Sequence, residues 1–211
     1  NMGDIDVQTV SGAIATGTHG SGRASASLSA LVVALEIALP DGSLVRCSAA
    51  HEPDLFRAGR LGLGALGVVT SVTFRAERAF RLHAVEAPGS LDDLLERFDE
   101  YAASEHLDVH WLPFTDAVLI KHYRRTDEPM RPLPKPVAWW TDVVENAGVE
   151  LVQRIARAAP RYAPFVNTVA ARLISARDYV DAAPSVFVSV RRVHFHEMEY
   201  ALPRRLAVAA I

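Results

Sequence analysis

The first 22 residues, NMGDIDVQTVSGAIATGTHGSG, constrain the fold most, because they are rich in Gly, Ser, Thr and Ala and nearly free of charge. Gly12, Gly17, Gly20 and Gly22 lack a Cβ atom, so the backbone can turn there with a positive φ angle or approach a ligand closely. Small hydroxyl side chains lie between these glycines and add hydrogen-bond donors. This composition favours a long, flat, phosphate-bearing ligand that lies along the backbone.

Two familiar phosphate-binding motifs do not account for the glycines. A P-loop requires Lys after its second glycine, and Thr18 follows Gly17 here. Gly62, Gly64 and Gly67 fit the G-x-G-x-x-G spacing of Rossmann enzymes, but the β-branched run VVTSVTF that follows predicts a strand instead of the required helix. A Rossmann NAD enzyme is therefore disfavoured, and glycine-rich turns of a β-rich domain are the alternative for both stretches.

The composition excludes several functional classes. The net charge is −3, from 22 basic and 25 acidic residues without a basic stripe, which argues against nucleic acid as a partner. No apolar run reaches membrane-spanning length. Cys47 is the single cysteine, so no disulfide framework exists, and a reducing, cytoplasmic compartment is expected. Peripheral association with a membrane stays open as an alternative.

Hydrophobic periodicity predicts an α+β fold in which the first 80 residues contain mostly strands. Alternating apolar residues around the turn Pro40-Asp41-Gly42-Ser43 predict a hairpin over residues 28–50. Pro53 is typical of the first turn of a short helix, and residues 68–74 predict a strand. A charged stretch near residue 80 marks the expected domain boundary.

The remaining residues predict a second α+β region. Ser90 is expected to cap a helix, and a hairpin is expected over residues 109–123. Four prolines predict an extended connector over residues 126–140, and two helices follow. Side chains that would alternate between two faces over residues 185–202 predict a long final strand.

Four stretches resemble the sugar-1,4-lactone oxidase family, and they occur in that family's order: GDIDVQTVSGAIATGTHGSG, DLFRAGRLGLGALGVVTSVTF, HWLPFTDAVLIKHYRRT and HEMEYALPRR. The family includes D-arabinono-1,4-lactone oxidase and L-gulono-1,4-lactone oxidase or dehydrogenase, which are FAD flavoproteins of the vanillyl-alcohol-oxidase type. The resemblance implies that residues 1–80 are the C-terminal part of an FAD-binding domain of the PCMH type. It implies that residues 81–211 are part of an α+β substrate (cap) domain.

The resemblance also implies which residues contact FAD. The implied cofactor-binding residues are Gly3, Asp4, Thr9, Gly12, Ala13, Ile14, Ala15 and Val69. Asp4 would lie near the substrate as well. Trp111 and Lys121 are further substrate candidates, because an aromatic ring and a cation suit a polar sugar.

Glu199, within MEYALP, is the candidate catalytic residue. A glutamate against an apolar wall would have a raised pKa and could act as a base. His194 and His196 would share one face of the predicted final strand, but no third ligand is evident there, so no metal site is expected.

The resemblance implies FAD-dependent oxidation of a hydroxyl of a sugar-derived 1,4-lactone, with hydride transfer to flavin N5 and oxygen or a redox protein as electron acceptor. The family's G-x-G-H-S segment and Glu-x-Arg pair are not in the sequence. We therefore expect an internal fragment without turnover and with little FAD binding of its own. The alternative function is a non-catalytic α+β binding module or a degenerate flavoprotein remnant.

Overall fold

The structure is a computed structural model that describes residues 2–194 and 197–211. The chain divides into two compact units. Unit 1 comprises Asn1–Phe80 and Ala182–Ser189, and unit 2 comprises Arg81–Asp181 and Val190–Ile211. The sequence pattern assigns all of residues 81–211 to one domain, whereas Ala182–Ser189 clusters with unit 1. The functional roles predicted for the two domains stay predictions.

Unit 1 is built on a three-stranded antiparallel sheet with the order β2-β1-β3, in which β1 is central. Its elements before residue 80 are α1 (Val10–Ala15), β1 (Val32–Ala38), β2 (Leu44–Ser48), α2 (Pro53–Gly59) and β3 (Val68–Phe74). The predicted hairpin, the helix at Pro53 and the strand at 68–74 are confirmed. The buried core consists of Ile14, Val32, Leu35, Ile37, Cys47 and Phe56.

Gly67 explains why a G-x-G-x-x-G spacing occurs here without a Rossmann fold. Its φ angle is +144°, and a Cβ atom would lie 2.2 Å from the carbonyl oxygen of Ala38, so a side chain there would collide with β1. The chain then continues as β3, whose Val68 pairs with Ala38. This glycine therefore serves the close approach of two strands.

Unit 2 contains a four-stranded sheet with the order β5-β6-β4-β7, in which β4 and β5 are both antiparallel to β6. Its elements up to residue 182 are β4 (Arg81–Ser90), α3 (Leu91–Glu96), α4 (Phe98–Tyr101), β5 (His106–Trp111), β6 (Ala117–Thr126), α5 (Lys135–Val143), α6 (Val149–Ala158), α7 (Ala163–Ala171) and β7 (Arg177–Ala182). A π-helical stretch, Val144–Gly148, joins α5 to α6. Two short helices follow, α8 (Ala183–Phe187) in unit 1 and α9 (Ala207–Ala210) in unit 2.

The predicted cap at Ser90 is confirmed, because its hydroxyl accepts a hydrogen bond from the amide of Asp93 at 3.2 Å. Leu94 then packs against Val118 and Ile120 of β6 in the core of unit 2. The predicted single helix is nevertheless interrupted at Arg97, which separates α3 from α4.

The predicted extended connector is wrong after residue 134. Helix α5 begins at Lys135, and Pro136 lies in its first turn. Proline is tolerated at that position because the amide it lacks has no partner in the first turn of a helix. Pro136 is therefore compatible with the start of α5 and does not exclude a helix.

The predicted long strand over residues 185–202 is also wrong. Helix α8 occupies Ala183–Phe187 with Pro184 in its first turn, and Val186 and Phe187 are buried. The described residues from 188 to 203 have no regular secondary structure. The shared strand face proposed for His194 and its neighbours therefore does not exist, and His196 lies outside the described residues. None of the described helices is both long enough and apolar enough to cross a lipid bilayer.

Candidate functional site

The glycine-rich amino-terminal stretch provides the candidate cofactor site, and we call residues 3–15 the cofactor segment. Its side chains from Asp4 to Val10 are exposed, and Gly3 is half-buried. Gln8 accepts a hydrogen bond from the hydroxyl of Thr18 at 2.9 Å, so the segment lies alongside the turn that follows α1. A Cβ atom at Gly3 would lie 3.0 Å from the methyl group of Thr18. Glycine at this position permits that close approach.

The second half of the cofactor segment, Val10–Ala15, is helical, and the sequence analysis did not predict this helix. Thr9 caps the helix, since its hydroxyl accepts from the amide of Gly12 at 3.1 Å and its carbonyl accepts from the amide of Ala13 at 2.9 Å. These two amides are therefore used inside α1. This helix is hard to predict from the sequence, because glycine and serine have low intrinsic helix propensity and the helix depends on the Thr9 cap.

The eight predicted cofactor-binding residues differ in what they can offer. Asp4 and Thr9 are exposed, whereas Gly12, Ala15 and Val69 are half-buried. Ala13 and Ile14 are buried, and Ile14 is completely inaccessible in the core of unit 1. The side chain of Ile14 therefore stabilises the fold, and contact with FAD by any of these residues stays a prediction.

Ser189 holds the cofactor segment from a distant part of the chain. Its backbone amide donates to the carbonyl of Asp4 at 2.9 Å, and its hydroxyl donates to the Asp4 carboxylate at 2.7 Å. Sequence analysis missed Ser189, because residues so far apart in the chain show no local pattern.

The glycine-containing turn that follows α1 fits a bound dinucleotide in chemical terms. The exposed residues beside it are Asp4, Asp6, Gln8 and Thr9 together with the apolar Ile5, Val7 and Val10, and Gln8 bonds to that turn through Thr18. Gly17 has a φ angle of +77°, and a Cβ atom there would lie 2.9 Å from a methyl group of Leu61. Glycines in such a turn let a backbone approach a long phosphate-bearing ligand closely.

The predicted substrate residue Lys121 is buried in the sheet of unit 2. It lies in β6 between Glu86 of β4 and Asp108 of β5, directly opposite both in the strand register. Glu86 is buried too and accepts a hydrogen bond from the hydroxyl of Tyr179 at 3.1 Å. Arg177 lies 2.7 Å from the other Glu86 oxygen. Lys121 thus belongs to a buried polar cluster, and its contact with a substrate stays a prediction.

Two buried tyrosines, Tyr179 and Tyr123, lie near the Glu86 carboxylate. Burial raises the pKa of Tyr179 and of Tyr123 well above the usual range, and the nearby Glu86 carboxylate is the second cause. Both phenols therefore stay protonated and can act as donors. Glu86 could have been recognised from sequence, because it alternates with the buried Leu82 and Ala84 on one face of β4.

The remaining predicted residues are on the surface. Trp111 ends β5, is 42 % exposed, and donates its indole N–H to the carbonyl of Thr115 at 2.7 Å. Glu199 is exposed and lies in a stretch without regular structure, so the apolar wall expected around it is not observed. Its catalytic role stays a prediction. Within residues 2–194 and 197–211, no three or more His, Cys, Asp or Glu side chains are arranged to hold a metal ion.

Comparison with known proteins agrees with the sequence resemblance. A family model described as D-arabinono-1,4-lactone oxidase matches residues 72–211, and one described as FAD binding domain matches residues 1–48. L-Gulono-1,4-lactone dehydrogenase of Mycobacterium tuberculosis is 37 % identical over 97 % of the chain and 47 % of the relative. L-Gulonolactone oxidase of Scyliorhinus torazame is 30 % identical over 100 % of the chain and 48 % of the relative.

A solved structure shows the same fold. A mutant of cholesterol oxidase from Brevibacterium sterolicum matches with a TM-score of 0.59 and 20 % identity, over 91 % of this chain and 41 % of that one. The predicted α+β flavoprotein fold is thereby confirmed. The chain spans about half the length of the two lactone-oxidising relatives. Because the family model covers most of the sequence, the chain belongs to the D-arabinono-1,4-lactone oxidase family.

Proposed function

We propose that the protein takes part in the FAD-dependent oxidation of a hydroxyl group of a sugar-derived 1,4-lactone. The observation that carries this proposal is the coincidence of two features in one chain. Residues 72–211 match the lactone oxidase family, and the exposed cofactor segment lies within residues 1–48, which match an FAD-binding domain. The names of the relatives support the substrate class.

In this proposal the chain's own residues bind and orient. The exposed residues 4–9 would hold the dinucleotide, and the Thr9 cap joins them directly to α1. Ser189 restrains both the backbone and the carboxylate of Asp4, so Asp4 would meet its ligand in a set position. The bound flavin would supply the hydride acceptor that no protein side chain provides.

The substrate would be a small sugar lactone, and oxygen or a redox protein would accept the electrons. A non-catalytic binding module is the second candidate, and the closed state of the buried polar cluster favours it, because Lys121 and Glu86 are not open to solvent. The two candidates differ in one measurable property, which is reduction of bound flavin by a lactone.

The test uses protein expressed from its complete reading frame and loaded with FAD. Sugar 1,4-lactones are added without oxygen, and the flavin absorbance band is recorded. We expect the lactones to bleach the band, whereas a 3-hydroxysteroid, the control suggested by the cholesterol oxidase fold, leaves it unchanged. Bound flavin that no lactone bleaches would favour the binding module.

A further inference from the structure

A buried asparagine, Asn146, binds the chain that leaves unit 1 after Ser189. Its side-chain amide donates to the carbonyl of Val190 at 2.9 Å, and its side-chain oxygen accepts from the main-chain amide of Arg192 at 2.7 Å. Asn146 is only 6 % exposed, so water competes little with these two bonds. Residues 190–192 are therefore attached to the helices of unit 2 through their main chain. We call Asn146 and residues 190–192 the asparagine clamp.

A local irregularity of the helix accompanies this contact. Val144–Gly148 is π-helical, and π-helical turns within α-helices occur frequently at functional sites. In a regular α-helix the carbonyl of Asp142 would accept from the main-chain amide of residue 146. Here the side-chain amide of Asn146 also reaches that carbonyl, at 3.1 Å. The side chain is thereby held on its own helix in the orientation that contacts residues 190–192.

Two ion pairs restrain the asparagine clamp further. Nη1 of Arg192 lies 3.0 and 2.9 Å from the two carboxylate oxygens of Asp142, which precedes Asn146 by one turn. Glu145 accepts a hydrogen bond at 3.1 Å from Arg177 of β7, whose side chain is largely buried. The first pair holds the bound chain on the helix, and the second holds the helix on the sheet of unit 2.

The asparagine clamp directly follows the residue that restrains the cofactor segment. Ser189 is the last residue of the second stretch of unit 1, and Val190 is the first residue of the second stretch of unit 2. Ser189 donates through its amide and its hydroxyl to Asp4, whereas Asn146 binds the carbonyl of the very next residue. Because each peptide unit is planar, few free dihedral angles separate these two attachments. Both attachments therefore restrict the same short stretch of main chain.

We propose that Asn146 is a positioning residue, which holds Ser189 and, through it, Asp4 in place for FAD. The asparagine clamp removes conformations of residues 190–192 in which Ser189 would leave Asp4. Less conformational entropy is then lost when the dinucleotide binds. Asn146 would itself touch neither FAD nor substrate. The effect on FAD binding rests on the proposed function, whereas the ordering of Ser189 does not depend on it.

Hydrogen exchange before FAD is added tests the ordering, in protein expressed from its complete reading frame. In Asn146→Ala we expect the Ser189 amide, which bonds to Asp4, to exchange about fivefold faster, as loss of about one hydrogen bond predicts. The amides of β1 report the core of unit 1 and should be unchanged. Asn167→Ala is the matched control, because Asn167 of α7 also donates its side-chain amide to a distant carbonyl, that of Pro113 at 2.9 Å. It should leave exchange of the Ser189 amide unchanged.

Titration of the same proteins with FAD tests the consequence for binding. Asn146→Ala should weaken FAD binding about fivefold, and Asn167→Ala should leave it unchanged. Asn146→Ala/Ser189→Ala should weaken binding by less than the product of the two single effects, because both changes loosen the attachment of Asp4. A side chain that merely stabilises unit 2 would show no such coupling to Ser189.

Three results would each overturn the proposal: unchanged Ser189 exchange in Asn146→Ala, an equal increase in Asn167→Ala, or fully multiplicative losses of FAD affinity in the double variant. If Asn146→Ala does not fold, Arg192→Met decides, because it removes only the partly exposed ion pair with Asp142. It should speed Ser189 exchange about twofold, and exchange at the wild-type rate would overturn the proposal. Wild-type protein that binds no FAD, combined with faster Ser189 exchange in Asn146→Ala, would support the ordering by Asn146 and contradict the proposed function alone.

Discussion

Ser189 donates two hydrogen bonds to Asp4, although 185 positions separate the two residues in the chain. One bond joins the Ser189 amide to the Asp4 carbonyl at 2.9 Å, and the other joins the hydroxyl to the carboxylate at 2.7 Å. Together they restrain the main chain and the side chain of the same residue. The cofactor segment is therefore held at its exposed end by a part of unit 1 that returns after residue 181.

Ser189→Ala should weaken FAD binding about fivefold. The hydroxyl bond to a carboxylate is lost, which costs roughly 1 kcal/mol at a solvent-exposed position, and the segment samples more conformations before it binds. The measurement is a titration of the apoprotein with FAD, followed by flavin fluorescence. Ser185→Ala is the matched control, since Ser185 is exposed on α8, and it should leave the dissociation constant unchanged. Equal affinity of Ser189→Ala and wild type would show that the Ser189 hydroxyl does not support FAD binding.

Ile14→Ala should destabilise the protein by about 2–5 kcal/mol, because it removes a fully buried side chain and leaves a cavity in unit 1. Denaturant unfolding of the protein without FAD measures this change. Val7→Ala, at an 85 % exposed position in the same segment, should alter the free energy of unfolding by less than about 0.5 kcal/mol. A similar cost for both variants would show that α1 does not belong to the core.

Sequence patterns predicted those elements whose partners are close in the chain. The hairpin of β1 and β2 has alternating apolar residues on both sides of a Pro-Asp-Gly turn, and both signals act over a few residues. The alternation over 185–202 has no such turn or neighbouring strand. There, the chain forms helix α8 with Val186 and Phe187 buried, and the local helix signal, Pro184 in its first turn, is weaker than the alternation that follows it.

For the candidate site residues too, features set by neighbouring residues could be predicted, and features set by distant residues could not. The exposure of Asp4 and Thr9 could be expected from a small, polar sequence, whereas their restraint by Ser189 could not. Lys121 was selected as a cation near aromatic residues, but the register of β6 places it between two carboxylates. Whether a cation in a strand can contact a substrate can thus be judged only when the residues opposite it on both neighbouring strands are known.

Lowering the pH below 6.5 should reduce the stability of unit 2, and His122 should contribute. Burial lowers the pKa of His122 from its ordinary value of 6.5. The unfolded chain therefore binds a proton in a range where the native imidazole stays neutral. The contribution of His122 to stability is complete above pH 6.5 and is lost as the pH falls through the lower, native pKa.

The measurement is the free energy of unfolding between neutral pH and about pH 5. His122 stacks on Tyr101 at a centroid distance of 5.7 Å, and His122→Phe keeps a ring at that position. The variant should reduce the slope of the unfolding free energy against pH. Burial also lowers the pKa of His106, so a smaller slope should remain in that variant. An unchanged slope in His122→Phe would contradict this prediction.

Arg177→Met should destabilise the protein by about 3 kcal/mol, because it removes the guanidinium that pairs with the buried Glu86 carboxylate at 2.7 Å. Glu86→Gln/Arg177→Met should recover roughly 1–2 kcal/mol of this loss, since the buried charge is then removed as well. Arg131→Met serves as the control. Arg131 pairs with Asp178 at 2.7 Å, but both side chains are more than half exposed, so the cost should stay below about 1 kcal/mol. Additive losses in the double variant would show that Glu86 does not depend on Arg177.

Hydrogen exchange of the backbone amides, measured with and without FAD, reports where the dinucleotide lies. The experiment uses protein expressed from its complete reading frame, and the exposed hairpin turn at residues 40–43 provides an internal reference. FAD should slow exchange of the amides of residues 4–9 and leave the reference turn unchanged. Unchanged exchange of residues 4–9 in a protein that has bound FAD would contradict the assignment of the cofactor segment.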